Sequence, residues 1–202
     1  MKRIPRIAAV LAAAAPALAF AQTSTWNLDS SHTQTVFGVR HLVITTVKGQ
    51  FNKTTGTVTL DEKDVTKSKV EATIDVASIN TREPKRDDHL RSADFFDAAN
   101  HPAITFRSTK VEKAGDGKLK VTGDLTMRGV TKEVVLDVEA PRPPIKDQRG
   151  ATRTGTTVTA KINRQDFGVR WNRAIDGGGF VVSDEVAVTI DIELIAAPPA
   201  AS

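Results

Sequence analysis

Eight segments of this 202-residue chain alternate apolar and polar side chains with a period of two. Successive side chains of a β-strand point to opposite faces, so each segment reads as a strand with one buried face. The apolar rows are Val47, Gly49 and Phe51; Val58 and Leu60; Val70, Ala72, Ile74 and Val76; Ile104, Phe106 and Ser108; Val121, Gly123, Leu125 and Met127; Val134, Leu136 and Val138; Val158, Ala160 and Ile162; and Val186, Val188, Ile190, Ile192 and Leu194. Val36–Leu42 adds a ninth candidate. Gly115-Asp116-Gly117, Arg128-Gly129 and Gly177-Gly178-Gly179 separate strands as turns. Short connections make antiparallel pairing natural. Strands with one apolar face close into a barrel or stack as a sandwich. A closed eight-stranded barrel has room for filling side chains or one small ligand. Aromatic residues make up 5% of the chain, so the small inward fillers would leave space in a barrel.

Two stretches interrupt the rhythm. Thr81–Asn100 is polar, and Leu90, Phe95 and Phe96 within it would cover one end of a barrel from a short helix. Asp87-Asp88-His89 reads as the start of that helix, where carboxylates are stabilised by the helix dipole. Pro141–Gly155 reads as a long loop.

The first 21 residues read as an address. Met1–Arg6 is basic, Ile7–Phe20 is apolar over 14 residues, and Ala19-Phe20-Ala21 is a small-x-small cleavage site. This is the pattern of a signal peptide, and the run is shorter than the roughly 20 residues of a spanning helix. The expectation is a leader at 1–21, one domain at 22–195 and a flexible tail at 196–202, with export to the periplasm and no later membrane segment. Without Lys2, Arg3 and Arg6, 25 Lys+Arg face 24 Asp+Glu, a balance of +1. So near-neutral a chain has no bulk attraction for nucleic acid.

Catalytic signatures are missing. With no cysteine, thiol catalysis, disulfides and Cys-ligated metal are excluded. His32, His41, His89 and His101 fit no compact metal motif. There is no phosphate loop, dinucleotide fingerprint or GxSxG elbow. Asp166-Phe167-Gly168 resembles the kinase metal-binding tripeptide but lacks every companion motif; Phe167 and Val169 read as inward strand residues beside a Gly bend, with Arg164 and Asp166 as a pair on the outer face.

Four blocks in order carry a family resemblance. They are Asp29-Ser30-Ser31-His32-Thr33 with Phe37-Gly38-Val39-Arg40-His41-Leu42 and Gly49-Gln50-Phe51; Ser78-Ile79-Asn80-Thr81 with Arg86-Asp87-Asp88-His89-Leu90-Arg91-Ser92-Ala93-Asp94-Phe95-Phe96 and His101-Pro102-Ala103-Ile104-Thr105-Phe106; Gly123-Asp124-Leu125-Thr126-Met127-Arg128-Gly129-Val130-Thr131-Lys132; and Ile162-Asn163-Arg164-Gln165-Asp166-Phe167-Gly168. From Trp26 to Ile195 the chain resembles the YceI-like family of bacterial polyisoprenoid-binding proteins. The resemblance implies an all-β, antiparallel eight-stranded lipocalin-like barrel with one or two short helices, exported and often dimeric. It implies a binding protein rather than an enzyme, holding an isoprenoid or other long-chain lipid such as a quinone or polyprenyl phosphate. The chain departs from its relatives at Gln148-Arg149, where many carry Pro-Trp, so the rim differs there.

On that reading Phe37, Val39, Phe51, Ile74, Phe106, Leu125, Met127 and Phe167 are wall candidates, and Leu42, Phe95, Phe96 and Trp171 cover the ends. Arg40, His41, His89, Arg91 and Arg173 are candidates for a polar or phosphorylated head at the mouth, since the arginine fork pairs two oxygens at once. No metal or catalytic residue is expected, and no cofactor beyond the bound lipid or quinone itself. The rivals are a filled barrel acting through partner proteins, and an enzyme using His41, His89 or Asp88 as acid–base groups.

Overall fold

Alternation becomes twelve strands in the computed structural model, which describes residues 23–176 and 178–198. The expected leader, Gly177 and the last four residues lie outside that range. The strands are β1 Thr23–Leu28, β2 Gln34–His41, β3 Thr45–Phe51, β4 Thr54–Asp61, β5 Lys69–Asp75, β6 Ile79–Asn80, β7 Ala103–Lys113, β8 Lys118–Met127, β9 Val130–Glu139, β10 Ile145–Lys146, β11 Thr152–Asn163 and β12 Val182–Ala196. One α-helix, α1 (Pro84–Arg91), joins the β6 and β7 segments.

Eight strands close an antiparallel barrel in the order β1-β4-β5-β7-β8-β9-β11-β12, with β12 returning to β1. The 15-residue β12 makes closure possible. It pairs with β11 from Glu185 to Ile195 on one side. On the other, β1 takes Leu194–Ala196 and β2 takes the half nearer Val182. The β2–β3 hairpin therefore rises beside the barrel and extends its wall. A bulge between Val182 and Val186 interrupts the β12–β2 ladder.

Some expected boundaries shift. Thr152–Gly155, expected in a loop, belong to β11, because the ladder with β12 pairs Arg153 with Ile195 and continues unbroken. β12 runs through Ala196, and the Ala197 N–H donates to the Thr25 carbonyl. Helix α1 begins at Pro84, three residues before Asp87, because proline suits the first helical position and the Glu83 side chain caps it. Phe167 is not in a strand. Arg164–Phe167 form a 3₁₀ turn ended by Gly168 at φ 75°, a left-handed conformation suited to glycine.

The barrel interior divides in two. At one end Val111, Leu119 and Val121 are buried together, with Phe106, Leu136 and Val138 against them. At the other, Phe51, Val76, Ile79 and Ile104 form a second cluster joined by Phe37, Leu125 and Met127. The inward row of β8 links them, with Gly123 between. A Cβ on Gly123 would collide with the Phe106 ring, so glycine lets that aromatic lie across the barrel.

A charged knot ties the strand ends beside the packed half. Arg153 Nε donates to Asp147 at 2.6 Å, and Nη1 donates to Asp29 at 2.8 Å and to Glu193. His32 Nδ1 lies 2.8 Å from the Asp29 carboxylate. Hydrogen bonds from Ser31, His32 and Arg153 hold Asp29 well below the usual carboxylate range. The hydrogen bond to Asp29 in turn raises His32 above its ordinary 6.5. A group raised on folding contributes stability that is complete below its unfolded value and lost as pH climbs through its folded one. The melting temperature of the protein should therefore exceed that of His32→Gln by most below pH 6.5, the gap closing as pH rises past the elevated value. His32 is 59% exposed in its side chain, so the gap is small; a pH-independent gap would show that the pair carries no charge linkage.

Candidate ligand-binding cavity

The less filled half of the barrel encloses a cavity of about 380 Å³. Its side walls come from β2 (Phe37, Val39), β3 (Val47, Phe51) and β12 (Val186, Val188). Ile104 and Met127 contribute from β7 and β8, and Ile162 from β11. Helix α1 and the segments around Phe95 and Trp171 cover the end. The wall exists because β2 and β12 are paired with Phe37 opposite Val188 and Val39 opposite Val186, which puts both apolar rows on one face.

Close packing shapes this lining. Phe37 tilts against Phe51 at 5.6 Å between ring centroids, and Phe51 meets Phe96 edge-on at 5.8 Å. Gly49 sits under the Phe37 ring; a Cβ there would also lie 2.8 Å from Thr81 Cγ2. Phe95, His89 and Trp171 form a second group with centroids 5.0–5.2 Å apart. His89 Nε2 is 2.9 Å from Asp94, which fixes the ring's orientation.

Five polar side chains reach the lining: His41, Thr81, Arg86, His89 and Arg164. Asp87, buried in the first turn of α1, accepts from Thr81 N–H and Oγ1 at 2.8 and 2.6 Å. Thr81 in turn accepts from Arg86 Nε and Nη2, both at 2.8 Å. Arg164 is only 5% exposed. Its Nη1 donates to the carbonyls of Val169 (2.7 Å) and Trp171 (2.9 Å), and its Nε to Ser183 (2.9 Å). Nη2 reaches the Val182 carbonyl and Asp184. Burial lowers its guanidinium from the ordinary value, and Asp184 opposes that.

Of the wall and end candidates, Phe37, Val39, Phe51, Phe95, Phe96, Met127 and Trp171 line the cavity. Ile74 and Leu125 pack behind it against the second cluster. Phe106 belongs to the packed half, and Phe167 is fully buried in its 3₁₀ turn. Leu42 sits in the β2–β3 turn at φ 52°. Among the mouth candidates His41 and His89 reach the cavity. Arg40 instead donates to the Val43 and Ile44 carbonyls of its own turn. Arg91 is spent on the Ala77 and Ile79 carbonyls and on Asp88. Arg173 stacks over Trp171 from outside, 5.8 Å from the ring centroid. Arg164 is not on an outer face with Asp166: the 3₁₀ turn breaks the strand period and swings the guanidinium inward, under the β12 bulge.

Sequence reasoning missed Val47, Thr81, Arg86, Ile162, Arg164, Val169 and the β12 valines as lining. The alternation of Val186 and Val188 marks them as inward, but nothing local distinguishes an open rung from a packed one.

Comparison with known proteins follows the same outline. A family model described as a YceI-like domain matches residues 26–194. A UPF0312 protein of Vibrio parahaemolyticus is 38% identical over 151 residues, covering 74% of this chain and 79% of its own. The crystal structure of a Campylobacter jejuni YceI protein superposes with a TM-score of 0.67 at 34% identity, covering 79% of this chain and 90% of that one. A polyisoprenoid-binding domain from Saccharophagus degradans shares the fold, with a TM-score of 0.61 at 16% identity over 87% of this chain and all of that one.

Proposed function

Since the chain belongs to the YceI-like family, we propose that it binds a lipid-like, chain-shaped molecule in the barrel cavity, for carriage, storage or sequestration after export to the periplasm. The observation that carries this is the unequal barrel: one half is occupied by the cluster of Val111, Leu119, Val121 and Phe106, while the other keeps about 380 Å³ of largely apolar space. That volume lies in the lower part of the range for ligand sites. An isoprenoid, quinone or polyprenyl phosphate fits the lining chemically, and a long one would pass its remaining length out of the mouth. Ten methylenes removed from water gain roughly 8 kcal/mol, against an association cost of at least about 4 kcal/mol. The polyisoprenoid-binding fold relative supports the same ligand class. Arg86 and His41 are the groups best placed for an oxygen-rich head. Met1–Ala21 is the segment we assign to export.

An acid–base enzyme finds less support. Asp88 pairs with Arg91 and does not line the cavity; His41 and His89 do, with His89 held by Asp94. Among the described lining residues the one hydroxyl, that of Thr81, already donates to Asp87.

Trp171 reports on the cavity from its wall. Titrating detergent-free protein with farnesol should change tryptophan emission saturably at one equivalent, and Trp171→Phe should remove the change. Native mass spectrometry of protein purified without detergent should show a lipid-sized adduct. No adduct together with no response to farnesol or to an added quinone would sink the proposal.

A further inference from the structure

Five large apolar side chains are prominently exposed among the described residues, and three of them cluster at one end: Val43 (67%), Ile44 (76%) and Phe180 (58%). They sit on two adjacent tips. The first is the β2–β3 turn, closed by the Ile44 N–H on the His41 carbonyl at 3.1 Å. The second is the loop before β12, where Ala174 bridges to Phe180 and Ile175 N–H donates to Gly179. The tips are joined by Leu42 N–H donating to the Val181 carbonyl at 2.9 Å, and Gly179 lies beside the Val43 methyl.

The first tip is strained where strain gains nothing for the fold. Leu42 and Val43 have φ of 52° and 61°. Tight hairpin turns with both central residues left-handed normally use Asn-Gly, and a β-branched residue there is an outlier. This turn instead spends its two difficult positions on aliphatic side chains and points Val43 and Ile44 at solvent. Both tips root in the cavity: His41 and Val47 line it beneath the first, Val181 and Val182 beneath the second. Arg40 and Arg173 flank them; Asp176 lies in the second loop, and Asp184 and Glu185 follow it in β12.

We infer that Leu42–Ile44 and Phe180 form a membrane-docking tip, which inserts into the surface of an anionic bilayer and holds the cavity mouth against it. The three exposed side chains offer on the order of 400 Å², about half of the roughly 800 Å² per partner that a stable protein–protein interface takes. That area is well matched to the shallow insertion of an interfacial anchor, where apolar groups enter and flanking cations meet lipid phosphates. The inference rests on the proposed lipid-like ligand, which would then pass between bilayer and cavity without crossing water.

Flotation of the protein with phosphatidylethanolamine–phosphatidylglycerol vesicles tests it, alongside the farnesol titration. The protein should float with the vesicles. Val43→Ser/Ile44→Ser/Phe180→Ser should cut the bound fraction at least tenfold while farnesol binding, read at Trp171, stays unchanged. Leu42→Asn/Val43→Gly relieves the turn; it should melt higher than the parent protein and float less, which separates lost docking from lost folding. Flotation of the triple variant at the parent level overturns the inference. So does a parent protein that binds farnesol but never floats, or one whose tip forms a dimer that the triple variant dissolves. Flotation without farnesol binding would overturn the ligand assignment and keep the docking tip.

Discussion

Arg164→Ala should lower the unfolding free energy by about 3–5 kcal/mol, the cost of breaking a buried charged network from one side. The β12–β2 ladder shifts register between Val182 and Val186, and there the carbonyls of Val182 and Ser183 accept from side chains. The guanidinium of Arg164 meets both, and also takes the carbonyls of Val169 and Trp171 on the neighbouring loop. Removing it takes a donor from the carbonyls of Val169, Trp171 and Ser183 at once, while Val182 keeps its 2.7 Å bond from Asn172 Nδ2. A buried acceptor left unsatisfied costs about 1–3 kcal/mol, less whatever water can recover. Asp184 would lose its ion pair but keep its 2.6 Å hydrogen bond from Gln165, and it is half exposed, so it matters less. Arg164→Lys should restore only part of the loss, because an ammonium cannot reach along the planar fork that spans two loops. Urea unfolding measures both variants. A loss under about 1 kcal/mol for Arg164→Ala would mean that the loop and bulge hold themselves.

Val188→Trp should abolish farnesol binding, weakening it at least a hundredfold, with the barrel still folded. Val188 lies on the cavity wall opposite Phe37 across the β12–β2 ladder, and its other neighbour in register is Ala160 of β11. An indole there grows into open space rather than into packed neighbours, so it escapes most of the usual cost of overfilling a core. The space it takes is the space the ligand needs. Tryptophan emission from position 188 would complicate the Trp171 readout, so calorimetry is the suitable measurement, with circular dichroism to confirm the fold. Farnesol binding at the parent affinity would place the ligand elsewhere on the molecule.

The strands were legible because their signal is local. Leu136 and Val138 alternate with Asp137 and Glu139 whatever surrounds them, and β9 turns Val134, Leu136 and Val138 inward, half-buried. The Arg128-Gly129 turn was legible for the same reason: both residues adopt positive φ, and Met127 pairs with Val130 across it. Phe37, Phe51, Phe96 and Trp171 were identifiable as candidates because large apolar side chains beside glycines or in polar stretches have few other uses. Arg164 was misplaced because four residues of 3₁₀ turn break the period on which facing was judged. Arg40 and Arg91 were misplaced because an arginine in a turn or on a helix meets carbonyls that only the folded backbone presents.

By itself, then, the amino-acid sequence determined antiparallel β-structure, the inward face of the eight alternating segments and, through the family its motifs carry, the barrel. Those depend on side-chain period and on motifs that neighbouring residues carry together. Tertiary structure alone decided which inward rungs are packed and which are open, since Leu125 and Val188 have the same pattern and opposite fates. It also decided that β12 is shared between β1 and β2, that a buried guanidinium repairs the resulting bulge, and that a strained aliphatic turn stands beside the cavity mouth. The sharing of β12 and the joining of the two tips bring together residues more than a hundred positions apart, and Arg164 meets Ser183 across 19; no local pattern encodes these meetings.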